Sequence, residues 1–426
     1  MPRISGGLLD QGPYLFDLDG ELERGQESPL EAPVQVAQGG DTFQEVRHTE
    51  PVPAGPKQIK WRCPVDISGY GTAGLDYVRA LDEAGWDVEL VPSKLSTALW
   101  LRNLEQATLD LSYRLQGNKV DPTSPYVQQC FPDFYDFTEK GKRKLIGYTP
   151  WEVLGITNNW RFLMNRMDEI WVPSEWNRQI YLNAGVTPPV RVVPHVVRTG
   201  LYNPDVKPSR VLGLAPVFNF LGMGDCSPRK GIMQYLIPAY LKEFKNEPEV
   251  GLTLKIYFGD DDCASQEKLK CEIRSIQSAC GGSGCIRFYG SLLNSADLPA
   301  FMAAFDAYVS PHHGEGWGMN IAHMLALGKD VVVTGDTGNM QFTNETNAYL
   351  VNTAGTALIH PEMSWFTPYS GLSWNMVDFS DLCLKMRACY DDFKAGKSKK
   401  IRAYRSILAF SEHEIVRLIS SLVLPG

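Results

Sequence analysis

The chain has 426 residues, 44% of them apolar and 21% charged, and its formal net charge is −8 at pH 7. This length is enough for two or three domains with sizeable cores. No apolar run approaches the roughly 18–20 residues that a membrane-spanning helix requires, which argues against a transmembrane segment.

The negative charge is concentrated in residues 1–56, which hold ten acidic and three basic side chains. This segment is rich in Gly, Pro and Gln and lacks periodicity, so we expect a flexible or loosely attached extension. The remainder is nearly neutral, with 38 basic and 39 acidic residues, which does not favour broad nonspecific binding to nucleic acid. The absence of a signal-peptide core and nine unclustered cysteines lead us to expect a cytoplasmic protein with reduced thiols.

One motif in the extension resembles a different enzyme class. Phe16-Asp17-Leu18-Asp19-Gly20 matches the opening motif of haloacid-dehalogenase-type phosphatases, whose first Asp is a nucleophile. That fold needs the motif on a central strand, with a later Lys and an acidic pair. Asp260-Asp261-Asp262 imitates the pair but lies far downstream in a different repeating pattern. We therefore interpret the match as fortuitous, and a phosphatase built on Asp17 and Asp19 remains a rival hypothesis.

From Gln58 the pattern alternates between strand and helix, as in a βαβ series. Its glycine-rich first loop, residues 66–74, lacks a Walker lysine, so P-loop chemistry is not expected. Residues 92–143 are less regular, and Ser174 is suited to cap a helix. The predicted elements are strands at 59–65, 86–91, 144–147, 169–172 and 190–193, with helices ending at Leu81 and Met167.

A second alternating series begins at Val217, after a stretch at 202–210 that we interpret as an interdomain linker. Two such series predict an α/β protein with two Rossmann-like domains. We place an N-terminal domain at 57–205, a C-terminal domain at 211–405 and a closing helix at 406–426. The predicted elements are strands at 217–221, 252–258, 286–289, 303–310 and 330–334, and helices ending near Phe244, Ala279, Ala304, Ala326 and Leu424.

Residues 312–323 form the most informative stretch. A glycine-rich loop leaves the predicted strand that ends at Ser310 and opens a helix that stops at Gly328. The free amides and positive dipole end of such a helix suit an anion. Gly316 and Gly318 allow close backbone approach, and Glu315 places a carboxylate at the same rim.

Four segments carry a family resemblance, and they occur in a fixed order within residues 58–426. They are Trp171-Val172-Pro173-Ser174 continuing into Glu175-Trp176-Asn177, Val192-Val193-Pro194-His195, Arg229-Lys230-Gly231, and Glu315-Gly316-Trp317-Gly318 with Gly338-Asn339 following. On these residues the chain resembles retaining glycosyltransferases of family 4 (glycosyl transferases group 1), which have the GT-B fold. The resemblance implies two Rossmann-like domains facing a cleft, with a C-terminal helix returning towards the first domain.

The resemblance also implies a UDP- or GDP-linked sugar on the second domain and an acceptor on the first. It assigns Arg229 and Lys230 to the diphosphate, where fixed cations stabilise the charge of the leaving group without a metal ion or cofactor. Glu315 would accept hydrogen bonds from sugar hydroxyls. The other donor-binding candidates border the same loops: Gly69, Gly71, Gly316, Trp317, Gly318, Met319, Asn320 and His323. The simpler alternatives are a solvated basic loop, a helix-start carboxylate and a plain tight turn.

Two departures from the family pattern bear on activity. The family places a second Glu, which binds the nucleotide ribose, at the position of His323, and a neutral imidazole makes only an uncharged hydrogen bond. Family members often carry a catalytic His in the first domain, but none lies between Trp61 and Val190. Glu152, close to Thr149, is our substitute candidate, with a helix-start carboxylate as the alternative. A non-catalytic subunit that binds a sugar nucleotide or glycan therefore remains open.

The sequence leaves the acceptor open between a glycan, a lipid-linked glycan, a protein and a modified nucleic-acid base. The irregular stretch at 92–143 is our candidate for the acceptor side. Within it, Tyr126, Phe131 and Tyr135 are the residues whose replacement would test this hypothesis.

Several other residues imitate functional sites. We interpret His195 as structural, at the domain boundary. His312 and His313 lack a third metal ligand, so no metal site is predicted. Asp260-Asp261-Asp262 resembles the acidic motif of the other major glycosyltransferase fold, but the doubled strand–helix series favours a surface turn. The basic run at 394–405 is interpreted as a solvated face.

Overall fold

The computed structural model describes residues 16–17, 55–93, 101, 103–211, 213–256, 263–281, 284–361 and 366–424. In the extension it describes one short strand, β1 (Phe16–Asp17), which pairs antiparallel with Arg287 and Phe288. No described helix combines the length and the apolar character needed to cross a bilayer.

The first domain is a parallel sheet of six strands in the order β3-β2-β4-β5-β6-β7. The strand order reverses between β2 and β4, and ligands of such folds bind outside the carboxyl ends of the strands near this point. The elements are β2 (Gln58–Pro64), α1 (Gly69–Glu83), β3 (Asp87–Ser93), α2 (Gln106–Gly117), β4 (Tyr126–Gln129), β5 (Leu145–Tyr148), α3 (Asn158–Met164), β6 (Glu169–Val172), α4 (Glu175–Asn183) and β7 (Val190–Val192).

The second domain repeats this order as β10-β9-β8-β11-β12-β13, with β1 added at the β10 edge. Its switch point lies between β8 and β11, whose carboxyl ends lead into the two loops that carry Arg229 and Glu315. The elements are β8 (Phe218–Gly224), α5 (Ile237–Phe244), β9 (Val250–Ile256), α6 (Cys263–Ala279), β10 (Cys285–Tyr289), α7 (Leu298–Ala303), β11 (Ala307–Ser310), α8 (Met319–Ala326), β12 (Asp330–Thr334) and β13 (Tyr349–Val351).

A hairpin and three further helices complete the second half of the chain. Strands β14 (Thr353–Leu358) and β15 (Ser373–Val377) pair antiparallel, and the backbone N–H of Leu154 donates to Ser373 O at 2.7 Å, which ties the hairpin to the first domain. The helices are α9 (Phe379–Lys394), α10 (Lys400–Ile407) and α11 (Glu412–Val423). Helix α11 packs against α1, so the predicted return of the last helix to the first domain is confirmed.

The apolar cores cross the domain boundary. One cluster contains Tyr77 of the first domain, Tyr308 of the second and Ile419 of the last helix. Another joins Trp160 to Trp374 of the hairpin. Burial of this extent is the main stabilising contribution to folding and to domain docking. The two domains are thus held together by continuous apolar packing around the cleft.

Some predicted boundaries were wrong. The helix before Met167 begins only at Asn158, where the Thr157 hydroxyl caps it; Gly155, with φ of 81°, interrupts the preceding segment. The apolar run at 303–310 is not one strand, because its first residue belongs to α7 and the strand starts at Ala307. Helix α2, strand β4 and the β14–β15 hairpin were not predicted. Ser174 does cap α4, by accepting from Asn177 N.

Candidate functional site

A cavity of about 550 Å³ lies between the two domains. It is bordered by the loops that follow the carboxyl ends of the strands, as expected for two facing sheets of this order. From the first domain it is lined by Tyr70 and Glu152, among others, and from the second by Arg229, Lys230 and Glu315. Most of the residues predicted to bind the donor therefore meet in one place.

The loop after β8 is fixed by a glycine. Pro228–Lys230 forms a 3-10 turn that ends at Gly231, whose φ is 66°. A Cβ at Gly231 would lie 2.0 Å from Pro311 O, so no other residue fits without movement of the backbone. The loop is also bonded to the one after β11, since His313 N donates to Arg229 O at 2.8 Å and Arg229 Nη1 donates to Gly314 O at 2.7 Å. These bonds place the guanidinium and the ammonium at the cavity.

Glu315 is the counter-ion of both cations. Lys230 Nζ donates to Glu315 Oε1, and Arg229 Nη1 lies 3.5 Å from the same oxygen. Burial alone would raise the pKa of Glu315, but Lys230 and Arg229 outweigh it and lower the pKa to about 2. Burial disfavours the charged form of Arg229, but Glu152 and Glu315 more than offset this and raise its pKa. Because an ammonium has three donors, Lys230 can contact Glu315 and an anion together.

Helix α8 supplies free amides beside this ion cluster. Its N-cap is Gly318, with φ of 94°, and the first amides of a helix have no partner within it. Met319 and Asn320 border the cavity next to Glu315. The predicted anion-binding helix start therefore lies beside the two predicted cations, an arrangement that suits a phosphate group. Gly316 and Gly318 border the same part of the cavity.

Trp317 is mainly a packing residue. It is 2% exposed, and its ring lies 4.7 Å from Phe342 and 5.3 Å from His195, between centroids. Its indole N–H finds no acceptor among the described residues. Because Trp317 also borders the cavity, it can position the loop and contact a ligand with one edge.

His323 lies in the cavity wall, on the side of α8 that faces the interdomain segment. Its ring stacks on Tyr202 with centroids 3.8 Å apart and planes 6° apart. Burial lowers the pKa of His323 to about 3, so the imidazole is neutral at physiological pH. The residue thus borders the predicted donor site without a charge.

Glu152 is at the cavity but not at a helix start. It lies in the loop between β5 and α3, and its Oε2 accepts a hydrogen bond from Tyr369 Oη of the second domain. The helix-start alternative is therefore wrong for this residue, because α3 begins six residues later, at Asn158. Glu152 is the one Glu or Asp among the described first-domain residues that line the cavity.

The two glycines of the first loop have different roles. Gly69 is the first residue of α1 and borders the cavity, and a Cβ there would meet no atom within 4 Å. Gly71 is not among the lining residues, and a Cβ there would lie 2.3 Å from Asp66 O. Gly71, the third residue of α1, therefore allows the helix start to pack closely on Asp66, whereas Gly69 leaves open space beside the cavity.

His195 was predicted to be structural, and it is buried at the domain boundary. Its Nδ1 lies 3.0 Å from Tyr148 Oη and 3.4 Å from Tyr77 Oη. Burial lowers its pKa to about 3. It also lines the cavity. The first domain therefore contributes a neutral imidazole to the site, although the residue is buried.

The two adjacent histidines that resemble metal ligands make hydrogen bonds within the second domain. His312 is bonded to Ser310 and Thr337, and His313 to Asn375 O. The described residues contain no group of three or more His, Cys, Asp or Glu side chains that could hold a metal ion. Asp260-Asp261-Asp262 and Asp19 lie outside the described residues. Asp17 is in an edge strand, not in the central strand that the phosphatase hypothesis requires.

Two of the three predicted acceptor-side residues are core residues. Tyr126 is 2% exposed and Tyr135 8% exposed, and both belong to the same apolar cluster. Phe131 alone of the three lines the cavity. The prediction failed for the tyrosines because aromatic content in an irregular stretch does not distinguish a core side chain from an exposed one.

Several lining residues were not predicted as part of the site. Lys255 at the end of β9 is 8% exposed, and burial lowers its pKa to about 8. Asp225 and Ser227 precede the predicted cations, and Ser227 Oγ donates to Asp225 Oδ1 at 2.5 Å. The hairpin segment adds Phe366, Tyr369 and Trp374. Asp225 and Ser227 could have been predicted to line the site from their position close to Arg229 in the sequence. The hairpin residues gave no such signal, because they reach the cavity only through tertiary contacts.

Comparison with known proteins finds a sequence match in the second domain and structural matches over both domains. Residues 215–360 match the family described as glycosyl transferases group 1. No curated protein matches the chain significantly.

Solved structures match over most of the chain at low identity. Anabaena HepE, in complex with UDP and glucose, shows 16% identity and a TM-score of 0.57 over 86% of this chain and 99% of its own. The E. coli trehalose-6-phosphate structure with bound UDP-2-fluoro glucose shows 12% identity and a TM-score of 0.60, over 86% of this chain and 98% of its own. The pneumococcal O-GlcNAc transferase GtfA, in complex with UDP and GlcNAc, shows 15% identity and a TM-score of 0.51 over 71% of this chain.

The match to GtfA spans only 57% of that protein, whereas HepE is matched over almost its full length. At these identities the structural matches establish the fold, and the sequence match concerns the second domain. Together they confirm the resemblance predicted from the sequence: the chain has the two-domain GT-B fold, and its residues 215–360 carry the pattern of the glycosyl transferases group 1.

Proposed function

We propose that the chain is a retaining glycosyltransferase that moves a sugar from a UDP- or GDP-sugar to an acceptor hydroxyl. The observation that carries the proposal is the convergence of Arg229, Lys230 and Glu315 with the start of α8 in the interdomain cavity. Two of the similar structures hold UDP and one holds a UDP-sugar derivative, so a UDP-sugar is the first donor to test.

The donor-side residues act on the charge of the leaving group. As the glycosidic bond breaks, negative charge grows on the diphosphate, and Arg229, Lys230 and the first amides of α8 stabilise it. Since these groups are held by the loop bonds before any ligand binds, they need little reorganisation during the reaction. Glu315 accepts hydrogen bonds from sugar hydroxyls while it keeps Lys230 in place.

The reaction proceeds on one face of the sugar. The leaving phosphate oxygen takes the proton of the acceptor hydroxyl, the acceptor oxygen forms the new bond to the anomeric carbon, and the configuration is retained. The protein mainly holds donor and acceptor in contact and stabilises the departing charge. Two fixed cations supply the positive charge that the reaction needs, so we propose a metal-independent enzyme without a further cofactor.

Nucleotide binding is the first test. A ligand that binds only the folded state raises the melting temperature, so UDP, GDP and ADP and their sugar conjugates are titrated with and without EDTA. We expect stabilisation by UDP or GDP that EDTA does not change. A flat response to every nucleotide would contradict the donor site.

Transfer is tested next with charge-deleted variants. Lys230→Met keeps the length of the side chain but removes its charge, and we expect turnover to fall by roughly 10²–10³-fold. Lys142→Met is the matched control, because Lys142 is exposed and lies outside the cavity lining. Equal turnover in both variants would contradict the assignment of Lys230.

A non-catalytic binding subunit is the second candidate, and the neutral His323 at the ribose position favours it. This candidate predicts nucleotide stabilisation without sugar transfer or donor hydrolysis over a broad panel of donors and acceptors. If the wild-type protein transfers sugar to any acceptor and Lys230→Met does not, the binding-subunit candidate is wrong and the chain is an enzyme.

A further inference from the structure

Four aromatic rings form a continuous surface at the cavity, which we call the aromatic wall: Tyr70, Phe131, Phe366 and Tyr369. Successive ring centroids lie 5.0, 4.9 and 4.9 Å apart in that order. Tyr70, Phe131 and Phe366 are only partly buried. Their rings therefore offer apolar surface to whatever occupies this part of the cleft.

Both domains contribute to the aromatic wall. Tyr70 is on α1 and Phe131 follows β4, whereas Phe366 and Tyr369 come from the segment between β14 and β15. The wall is fixed from behind, because Trp160 stacks on Phe131 with planes 29° apart and Trp151 packs against Tyr369 with centroids 5.0 Å apart. The hairpin of the second domain thus completes a surface that the first domain begins.

The two tyrosine hydroxyl groups at the aromatic wall already donate hydrogen bonds, and the remaining polar group, Glu152, is an acceptor. Tyr369 Oη donates to Glu152, and Tyr70 Oη donates to Pro150 O at 3.0 Å. An ionised carboxylate accepts several hydrogen bonds, so Glu152 retains capacity for ligand hydroxyls. The apolar rings and the carboxylate acceptor together suit a ligand that has hydroxyl groups around its rim and an apolar face.

The basic side chains of the cavity come from the second domain. Among the described lining residues, Arg229, Lys230 and Lys255 carry the basic side chains, and all three belong to the second domain. The described lining residues of the first domain include one carboxylate, Glu152, and no Lys or Arg. Arg229 is the basic side chain that interacts with Glu152, but Glu315 lies 3.5 Å from the same guanidinium, so a phosphate group placed against the aromatic wall would meet two carboxylates around one arginine.

We infer that the aromatic wall and Glu152 form the acceptor subsite, and that the acceptor is a neutral glycoside whose ring stacks on Phe131 and Phe366. Its hydroxyl groups donate to Glu152, which orients one of them towards the donor. The inference rests on the proposed glycosyltransferase function and adds the chemical class of the acceptor. It disfavours sugar phosphates, phosphate-bearing lipids and nucleic acid.

Binding is tested separately from transfer. The full-length protein, saturated with the nucleotide that stabilises it most, is mixed with methyl α-D-glucopyranoside, methyl α-D-mannopyranoside, methyl β-D-galactopyranoside or glucose 6-phosphate, and ligand contact is measured by saturation-transfer NMR. We expect signals from the axial and ring protons of at least one methyl glycoside, stronger than those of glucose 6-phosphate. No signal from any methyl glycoside, or stronger binding of glucose 6-phosphate, would overturn the inference.

Variants of the aromatic wall provide the second readout. Phe366→Leu keeps an apolar side chain but removes the ring, and we expect the glycoside dissociation constant to rise about tenfold. Glu152→Gln keeps the size of the side chain and is expected to weaken the same binding. Phe134→Leu is the control, because Phe134 is 51% exposed and outside the cavity lining. Unchanged glycoside binding in both wall variants would overturn the acceptor subsite.

The two proposals fail in distinguishable ways. If the nucleotide still stabilises the protein but the glycosides do not bind, the donor site stands and the acceptor inference is wrong. If no nucleotide stabilises the protein, the proposed function is contradicted, and the acceptor inference falls with it.

Discussion

Each domain buries a carboxylate near arginine, and the effect on the pKa is opposite in the two places. Glu315 of the second domain has its pKa lowered to about 2, since Lys230 and Arg229 outweigh burial. Asp76 on α1 of the first domain has its pKa raised to about 7, since burial outweighs Arg198. Both side chains are removed from water, so the difference comes from their partners.

The distances explain the contrast. Lys230 donates a hydrogen bond directly to Glu315, whereas Arg198 Nε lies 3.9 Å from Asp76 and its Nη1 also faces Glu105 at 3.6 Å. A buried charge is stable only with close, well-oriented partners. The ion cluster of the second domain therefore keeps its charges across the physiological pH range, while the first domain holds an acid whose pKa is raised to about 7.

The largest expected effect concerns the backbone that places Arg229 and Lys230. Gly231→Ala must adopt φ of 66° and bring a Cβ to 2.0 Å from Pro311 O. We expect the free energy of unfolding to fall by about 3–5 kcal/mol, because both the left-handed backbone and the clash are unfavourable. Chemical denaturation measures the change, and nucleotide titration measures the accompanying loss of donor affinity.

Gly396→Ala is the matched control for this glycine. Gly396 also has φ of 66°, but a Cβ there would meet nothing within 4 Å. Its replacement should lower the free energy of unfolding by only about 1–2 kcal/mol. Equal losses in the two variants would mean that the contact with Pro311 has no special importance.

Glu315→Gln tests the charge-compensated side of the comparison. The variant leaves Lys230 and Arg229 near a neutral acceptor, and we expect a loss of about 3 kcal/mol at pH 7. Because the pKa of Glu315 is lower in the folded chain than in the unfolded chain, its contribution is present above the unfolded value and is lost on acidification. The difference between wild type and variant should therefore shrink between about pH 5 and pH 2.

Urea denaturation at several pH values gives this curve. Glu175→Gln is the control, since Glu175 forms an exposed ion pair with Arg178 and its side chain is 53% exposed; it should change the stability by less than about 1 kcal/mol. A loss in Glu315→Gln that persists unchanged at low pH would show that charge is not its cause.

The second-domain half of the candidate site could be predicted because its signals are local. Arg229, Lys230 and Gly231 are consecutive, and Glu315 precedes a glycine-rich helix start by a few residues. The strand–helix alternation then places both loops at the carboxyl ends of neighbouring strands, which brings them together. The residue pattern was sufficient to predict the helix start, and the family resemblance supplied the predicted roles of Arg229, Lys230 and Glu315.

The opposite side of the cavity, built by the first domain and the β14–β15 hairpin, could not be predicted in the same way. Strand β14 is mostly exposed, so it lacks the apolar alternation that marks a half-buried strand. Helix α2 buries Thr108 and Ser112 as well as Leu111 and Leu115, which weakens its apolar period. The contact of Tyr369 with Glu152 joins residues far apart in the chain, and no local pattern reports such a contact.

Asp76→Asn tests the carboxylate whose pKa is raised, and its effect on stability should depend on pH in the opposite direction to that of Glu315→Gln. A raised pKa means that the folded chain binds more protons than the unfolded chain between about pH 4 and pH 7, so stability from this residue is lost as pH rises through that window. The variant removes the buried charge, and we expect it to be more stable than wild type by about 2 kcal/mol at pH 8. Near pH 4 the two proteins should be alike.

Thermal or urea denaturation at pH 4, 6 and 8 measures this trend. Asp82→Asn is the control on the same helix, because Asp82 is paired with Arg114 at 2.6 Å; it should leave stability unchanged or slightly lower at each pH. Lower stability of Asp76→Asn at pH 8 would show that the contact with Arg198 outweighs burial.

The smallest expected effect concerns the bond that joins the two faces of the cleft. Ser174 Oγ accepts from Asn177 N at 3.2 Å as the cap of α4 and donates to Gly316 O of the loop after β11 at 2.8 Å. Ser174→Ala removes both bonds, and we expect a loss of about 1–2 kcal/mol. Because Gly316 follows Glu315 directly, nucleotide affinity should fall as well.

Thr157→Ala separates the two contributions of Ser174. Thr157 Oγ1 caps α3 by accepting from Trp160 N at 3.2 Å, in the same way as Ser174 caps α4, but within the described part of the chain its hydroxyl makes no bond to the second domain. Its replacement should cost about 1 kcal/mol and leave nucleotide affinity unchanged. If both variants lower nucleotide affinity equally, loss of a helix cap is the cause. If only Ser174→Ala does, the first domain holds the loop after β11 in place through this one hydroxyl.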